Sequence, residues 1–450
     1  MPYLPLTLFE QYLLHEDQPG YPSRIVQELQ FNGSVNREYF EKSVHEITAM
    51  HPLLTATVEK RSFRSPHWRI DDSSTFPIHW HEHGPHSFRP ELKRFDITKE
   101  VSGELHVIES NDRWTLLLNI SHVICDGVAS SALLQDILLA YDNRFGKVHH
   151  IPSPIPELLP HRSKFGLSIS KKIALLPAQV TGLIIAATLT SRRISPLNLA
   201  PLEYPEQPDS EGPQNVVSKY LDQSRFDQFQ KLTKTSGKSL NDHCLAFLHS
   251  AIGTWRNRNG VGSPEDWIRI SVPKNLRSKS DLHLPACNVI SITPIDRQSK
   301  GLSNRERLLR RAHEDMTFIK KGMLSLTFLA LLWIHRLRPN GIRKMSHRNI
   351  CRTTAVLSNI GRVFPLSPLL DENQKLHIEN ATLEKTITVA PIRPQTQTTL
   401  LLSIYGGELC MDLNYDPLAL NREKAEELLD DFLAEFKSTL TRETTQPREN

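Results

Sequence analysis

The chain has 450 residues, which at ordinary domain sizes predicts two to three domains or one large two-lobed body. Its 39% hydrophobic and 23% charged residues are an ordinary globular mix, excluding a wholly disordered or fibrous chain. The 54 basic residues exceed the 50 acidic ones by four, too few to predict a nucleic-acid binder.

The opening MPYLPLTLFEQYLL has no basic region followed by a long apolar core, so a secretory signal is not expected. Asn36 is read as the cap of a helix carrying Phe40, Val44 and Ile47 on one stripe and ending before His51-Pro52. Residues 114–121 (WTLLLNIS) form a dense apolar run, as expected of a strand buried on both faces. Residues 128–141 follow as a helix with Leu133, Leu134, Ile137 and Leu138 apolar. The first 141 residues read as one compact unit, within a lobe assigned to residues 1–150.

Residues 142–165 and 191–215 are rich in Pro, Ser, His and charge and read as linkers, so 151–215 is taken as a crossover. Within it, Ile169, Ile173, Leu176, Val180, Leu183, Ile184 and Ala187 recur at helical spacing, with Lys171 and Lys172 near one end and Arg192 and Arg193 at the other. Such a helix either braces the two lobes or contacts a membrane surface or acyl chain. Pro177, Gln179, Thr181 and Gly182 interrupt the apolar run, so a spanning segment is not expected.

The second lobe is assigned to 216–440 and a polar tail to 441–450. Phe226, Phe229 and Leu232 predict a helix that breaks at Gly237, and Ser239 with Asp242 reads as a capping box for the next. Strands are expected at 267–272, 288–294, 353–358, 385–390, 398–405 and 408–414. Asn421 opens a terminal helix bearing Leu428, Leu429, Phe432 and Phe436. Helices and strands intermix in both halves, so the fold class is α/β (α+β). Cys125, Cys244, Cys287, Cys351 and Cys410 are dispersed and form no C-x-x-C, which reads as free thiols of a reducing, cytoplasmic setting.

The chemistry-bearing stretch is Ser121-His122-Val123-Ile124-Cys125-Asp126-Gly127, where the buried strand gives way to the helix. A neutral imidazole is available near pH 7, making His122 a candidate general base. Asp126, four residues on, is placed to fix the loop by pairing with a cation. Gly127 is read as supplying a backbone angle that other residues resist. The plain alternative is a loop histidine beside a turn-forming Asp-Gly.

This stretch resembles the H-x-x-x-D-G signature of the CoA-dependent acyltransferase superfamily, which includes nonribosomal peptide condensation domains, polyketide-associated acyltransferases, wax ester synthase/diacylglycerol acyltransferases, alcohol acetyltransferases and plant BAHD enzymes. Further pieces match in the family's order: residues 5–22 with Glu10 and Asp17-Gln18-Pro19-Gly20, Phe31-Asn32-Gly33, His51-Pro52-Leu53-Leu54, Gly237-Lys238-Ser239-Leu240-Asn241-Asp242, Val272-Pro273-Lys274-Asn275-Leu276-Arg277 and Leu357-Ser358-Asn359-Ile360-Gly361. The resemblance covers nearly the whole chain. It implies two chloramphenicol-acetyltransferase-like lobes forming a V around a central tunnel. His122 would deprotonate a small-molecule alcohol or amine, which attacks an acyl thioester. Asp126 would be structural and paired with an arginine, and Asn288, Ser291, Ser358 and Asn359 would line the tunnel. No permanent cofactor or metal is implied; the donor is acyl-CoA or acyl-phosphopantetheine on a carrier protein. Ser121 replaces the first of two histidines found in many relatives. Met50 and Thr55 replace the arginines of R-H-x-x-L-R-T, which makes Arg277 the better partner for Asp126. The plant D-F-G-W-G is replaced by Ile404-Tyr405-Gly406-Gly407-Glu408. A catalytically silent relative that binds acyl chains or a carrier protein, and a stand-alone amide-forming condensation enzyme, remain as alternatives.

His79, His81 and His83 alternate and would share a strand face, with His86 nearby; they read as a zinc site or as an exposed polar strand. Glu82 would point the other way. Cys125 has apolar neighbours and no separate base, so a thiol nucleophile is not expected. Residues 304–352 hold twelve basic and three acidic residues around the apolar run 323–334. This region is a solvated face, or it meets CoA phosphates, an acidic carrier protein or anionic lipid, with Arg338, Arg343 and Lys344 as the candidate contacts.

Overall fold

The computed structural model describes residues 4–60, 65–71, 73–82, 90–199, 215–347 and 350–445. Up to residue 143 the chain supplies β1 (Leu4–Pro5), α1 (Leu8–Glu16), β2 (Arg24–Gly33), α2 (Arg37–Ala49), β3 (Thr57–Glu59), β4 (His67–Arg69), β5 (Ile78–His81), β6 (Gly103–Ser110), β7 (Arg113–Ser121) and α3 (Gly127–Asn143). Beyond the crossover helix α4 (Ile169–Ser191) come β8 (Asn215–Leu221), α5 (Gln223–Ser236), α6 (Leu240–Arg258), β9 (Trp267–Asn275), β10 (Ile290–Gln298), α7 (Arg305–Lys321), α8 (Ser325–Arg336) and α9 (Gly341–Ser346). The chain then adds β11 (Ala355–Arg362), β12 (His377–Ile378), β13 (Ala381–Val389), β14 (Thr398–Tyr405), β15 (Glu408–Tyr415) and α10 (Arg422–Thr445).

Two six-stranded sheets carry the two lobes. The first runs β12-β13-β2-β7-β6-β5, the second β10-β9-β11-β14-β15-β8. β7 lies in the middle of the first sheet, antiparallel to β2 and β6, and Leu116, Leu117, Leu118 and Ile120 are all buried because both faces are covered. Phe31 stacks on Trp114 at 4.1 Å, and Phe40 of α2 meets both Trp114 and Tyr141, so this aromatic cluster locks α2 and α3 to the sheet. In the second lobe Phe229, Phe247, Phe432 and Phe436 join α5, α6 and α10 in the same way.

Helix starts follow their expected caps. Asn36 accepts from the Tyr39 N–H, and Ser239 and Asp242 form the reciprocal capping box of α6. Gly237 ends α5 with φ +67°, the left-handed region where glycine costs least.

The assigned lobe boundary needs one correction. Residues 381–389, placed by sequence in the second lobe, pair with β2 from Ala381↔Gly33 to Val389↔Val26 and so complete the first sheet. β2 would otherwise present an unpaired edge, which the crossing strand covers. The crossover helix starts at Ile169 and runs through Pro177, as the helical spacing predicts, and extends to Ser191, with Gly182 its one buried residue among those described.

Candidate active site

His122 stands just past the last residue of β7, where its N–H donates to the Ser23 carbonyl at 2.8 Å. Its ring Nδ1 lies 3.0 Å from the Cys125 carbonyl oxygen. A carbonyl only accepts, so Nδ1 carries the hydrogen and Nε2 keeps the lone pair. Burial pulls the His122 pKa below its ordinary value, outweighing the Cys125 bond and the Asp126 charge, which act upward. The imidazole is therefore neutral at pH 7.

Asp126 caps α3, accepting from Ala129 N–H at 3.0 Å through Oδ1 and from Val289 N–H at 2.9 Å through Oδ2. Arg277 Nη1 reaches both carboxylate oxygens, at 3.0 and 2.8 Å, while its Nη2 donates to the Cys287 carbonyl at 2.8 Å. Asp126 is fully engaged in bonding the first lobe's loop to the segments around β9 and β10. Among the described residues it makes no hydrogen bond to the His122 ring, so its part is to hold the loop.

Gly127 takes a different part from the one expected of it. It is the first residue of α3 and is not among the glycines with positive φ. A Cβ there would meet Ile360 Cγ2 at 3.5 Å, an ordinary contact. Gly127 lines the same cavity as His122, so the missing side chain leaves room in that cavity instead of permitting a special turn.

The cavity has a volume of about 110 Å³ and lies between the lobes. Ile25, His122 and Gly127 line it from the first lobe, Pro273, Ile292, Ser358, Asn359 and Leu401 from the second, and Phe9 and Leu13 from α1. Asn359 donates to Asn241 Oδ1 at 2.6 Å and accepts from the Gly361 N–H at 2.8 Å, so two separate motifs meet here.

Two expected tunnel residues lie elsewhere. Asn288 donates to the carbonyls of His122 and Val123, at 2.8 and 2.9 Å, and thus braces the histidine loop from behind. Ser291 is fully buried and donates to the Ser325 carbonyl at 2.6 Å, holding the start of α8. The period-2 alternation of β10 explains this: Ile290 and Ile292 line the cavity and residue 291 points the other way.

One cavity cation escaped the sequence reading. Arg393 lines the cavity, pairs with Glu16 at 2.5 Å and stacks over Tyr12 with its guanidinium 5.2 Å from the ring centre. Its charge also lowers the His122 pKa. Arg393 sits between two strands in a Pro-flanked loop, which carries no local pattern that marks a site. Cys125 is wholly buried and burial pushes its thiol well up, so no thiolate nucleophile is available there.

On the histidine strand, His79 Nε2 lies 3.3 Å from Glu104 Oε2, and His81 Nε2 lies 3.0 Å from His106 Nδ1. The parallel register of β5 with β6 brings Glu104 and His106 alongside, partners that the alternation did not reveal. His83 and His86 fall outside the described residues. Among the described residues no cluster has the arrangement to hold a metal ion. Arg338, Arg343 and Lys344 are exposed, the last two on α9.

A protein-family model described as the condensation domain matches residues 12–154. Plipastatin synthase subunits D and A of Bacillus subtilis (strain 168) are each 26% identical over 136 residues, 29% of this chain. The chain spans only 4% and 5% of those two proteins. The first condensation domain of the CDA synthetase superposes with a TM-score of 0.69 at 12% identity, covering 97% of this chain and 96% of that one. The chain has the condensation-domain fold. The epimerization domain from the third module of tyrocidine synthetase B matches equally well (TM-score 0.68, 12% identity, 98% and 97% covered). So does the starter condensation domain of rhizomide synthetase, solved with C8-CoA and Leu-SNAC (TM-score 0.66, 12% identity, 98% and 94% covered). The resemblance to the CoA-dependent acyltransferase superfamily and the two-lobed α/β architecture are thereby borne out. In this condensation-type fold the matched residues 12–154 contain the whole H-x-x-x-D-G stretch.

Proposed function

We propose that the protein transfers an acyl group from a thioester, on CoA or on the phosphopantetheine arm of a carrier protein, to the hydroxyl or amine of a small acceptor. The observation that carries this reading is the His122 ring in a largely apolar cavity between the lobes, its Nδ1 hydrogen committed to the Cys125 carbonyl and its Nε2 without a hydrogen-bond partner among the described residues. Nε2 takes the proton of the acceptor as the acceptor attacks the thioester carbonyl. The tetrahedral intermediate collapses, the C–S bond breaks, and the thiolate leaves with the proton returned by the imidazolium. Asp126 and Arg277 act as positioning residues that hold the loop. Arg393 opposes premature protonation of His122 and supplies a positive charge to the cavity. The exposed Arg338, Arg343 and Lys344 suit the phosphates of CoA or an acidic carrier surface. The free cysteines, four of them buried, suit a reducing, cytoplasmic setting.

The deciding experiment incubates the protein with a mixed acyl-CoA pool and a panel of alcohols and amines, reading free thiol and acylated product by mass spectrometry. Thioester consumption with a new ester or amide, lost in His122→Ala, supports the reading. Acyl-CoA binding without turnover in the wild type would overturn it in favour of a silent relative.

A further inference from the structure

Helix α4 stands out among the helices because it is apolar and yet outside the core. It has 23 residues, its most apolar 18-residue window has a mean hydropathy of 1.8, and only 6% of that window is buried. Ile169, Ile173, Leu176, Val180 and Ile184 are 78%, 61%, 57%, 56% and 64% exposed. Their spacing of four, three, four and four residues places them on a single stripe.

The opposite face is what holds α4 to the protein. Gln179 donates to the carbonyls of Gly322 and Met323 at 3.0 and 3.2 Å and accepts from Thr327 at 3.1 Å. At Gly182 the backbone lies so near α8 that a Cβ would come within 2.3 Å of Thr327 Oγ1. The stripe's outward direction is therefore fixed.

We infer that α4 is an interfacial anchor, its exposed apolar stripe seated in the surface of an anionic phospholipid bilayer and its basic ends on the headgroups. This goes beyond acyl transfer and does not depend on it. Charge complementarity favours a lipid surface: between Glu157 and Glu203 the sequence has no acidic residue, while Lys171, Lys172 and Arg193 are exposed at the ends of the helix. The polar side chains of the helix point to the same occupant. Thr181, Thr188, Thr190 and Ser191 each donate to a carbonyl of their own helix, so they need neither water nor a directional protein partner. Because Gln179 and Gly182 keep one face on α8, the helix lies along the surface and does not cross the bilayer.

Vesicle flotation of the full chain tests this. Phosphatidylcholine vesicles containing phosphatidylglycerol should carry the protein up, pure phosphatidylcholine much less, and added salt should weaken the binding. The double variant Ile173→Glu/Ile184→Glu should lose flotation about tenfold or more while its melting temperature stays unchanged, because both positions are exposed. Lys171→Gln/Lys172→Gln/Arg193→Gln should lower binding to the anionic vesicles alone. Wild-type protein that floats with neither vesicle, or the glutamate variant floating as wild type does, would overturn the inference. So would light scattering that shows a dimer dissolved by the glutamate variant, since the stripe would then join two copies. Turnover of a water-soluble thioester by that variant, measured in parallel, reads the catalytic proposal separately.

Discussion

Replacing Asp126 by Asn removes one charge and swaps one acceptor oxygen for a donor. In the native arrangement both carboxylate oxygens are in use, by two backbone N–H groups and by Arg277 Nη1. Asn can satisfy one N–H through its oxygen, and it caps helices as well as Asp, so the α3 cap itself costs little. Its NH₂ must then face either the other N–H or the guanidinium. The Arg277 side chain is only 17% exposed, so its charge would be left poorly paired and poorly hydrated. Breaking such a pair costs about 3–5 kcal/mol, and the residual exposure puts the value toward the lower end. The assay is urea denaturation of the wild type, Asp126→Asn, Arg277→Met and the double variant. The double variant should be less destabilised than the two singles added together, with a coupling of about 1–3 kcal/mol. Additivity within about 0.5 kcal/mol, or a cost below about 1 kcal/mol for Asp126→Asn alone, would refute the reasoning.

His122→Ala should lower thioester turnover by about 10²–10⁴ with the melting temperature little changed, and activity within a few-fold of wild type would remove the base assignment. Because burial depresses the His122 pKa, the acid limb of kcat/KM should lie below pH 6.5, and a midpoint at or above 7 would contradict the neutral-imidazole reading. Gly127→Ala should leave stability unchanged or raise it by about 0.5–1 kcal/mol while reducing turnover, since the backbone there is helical and the lost space belongs to the cavity; a large destabilisation in chemical denaturation would restore the special-turn explanation. His51 and His243 are held neutral by burial with pKa values near 4, and His249 near 3. The unfolded chain binds these protons first, so the histidine contribution is complete above about pH 6.5 and is lost as pH drops toward 4, against the opposite trend of Asp136 and Asp412, whose carboxyls burial raises to about 7 and about 6; a denaturation midpoint that rises as pH drops across that window would contradict the histidines' dominance.

The sequence by itself determined what acts over a few residues. The Asn36 and Ser239/Asp242 caps, the left-handed Gly237 and the doubly buried β7 all follow from side chains interacting with their own backbone or from apolar periodicity. The histidine loop was legible in the same way, because a buried strand, a capping aspartate and a helix are contiguous in the chain. The Asp126–Arg277 pair spans 151 positions and was legible only through motif resemblance. Tertiary structure alone decided the crossing of β13 to the first sheet, the bracing part of Asn288 and the arrival of Arg393 beside His122. Each depends on contacts between segments more than a hundred residues apart in the chain. No local pattern records them, because the free energy that selects them exists only once both lobes have formed.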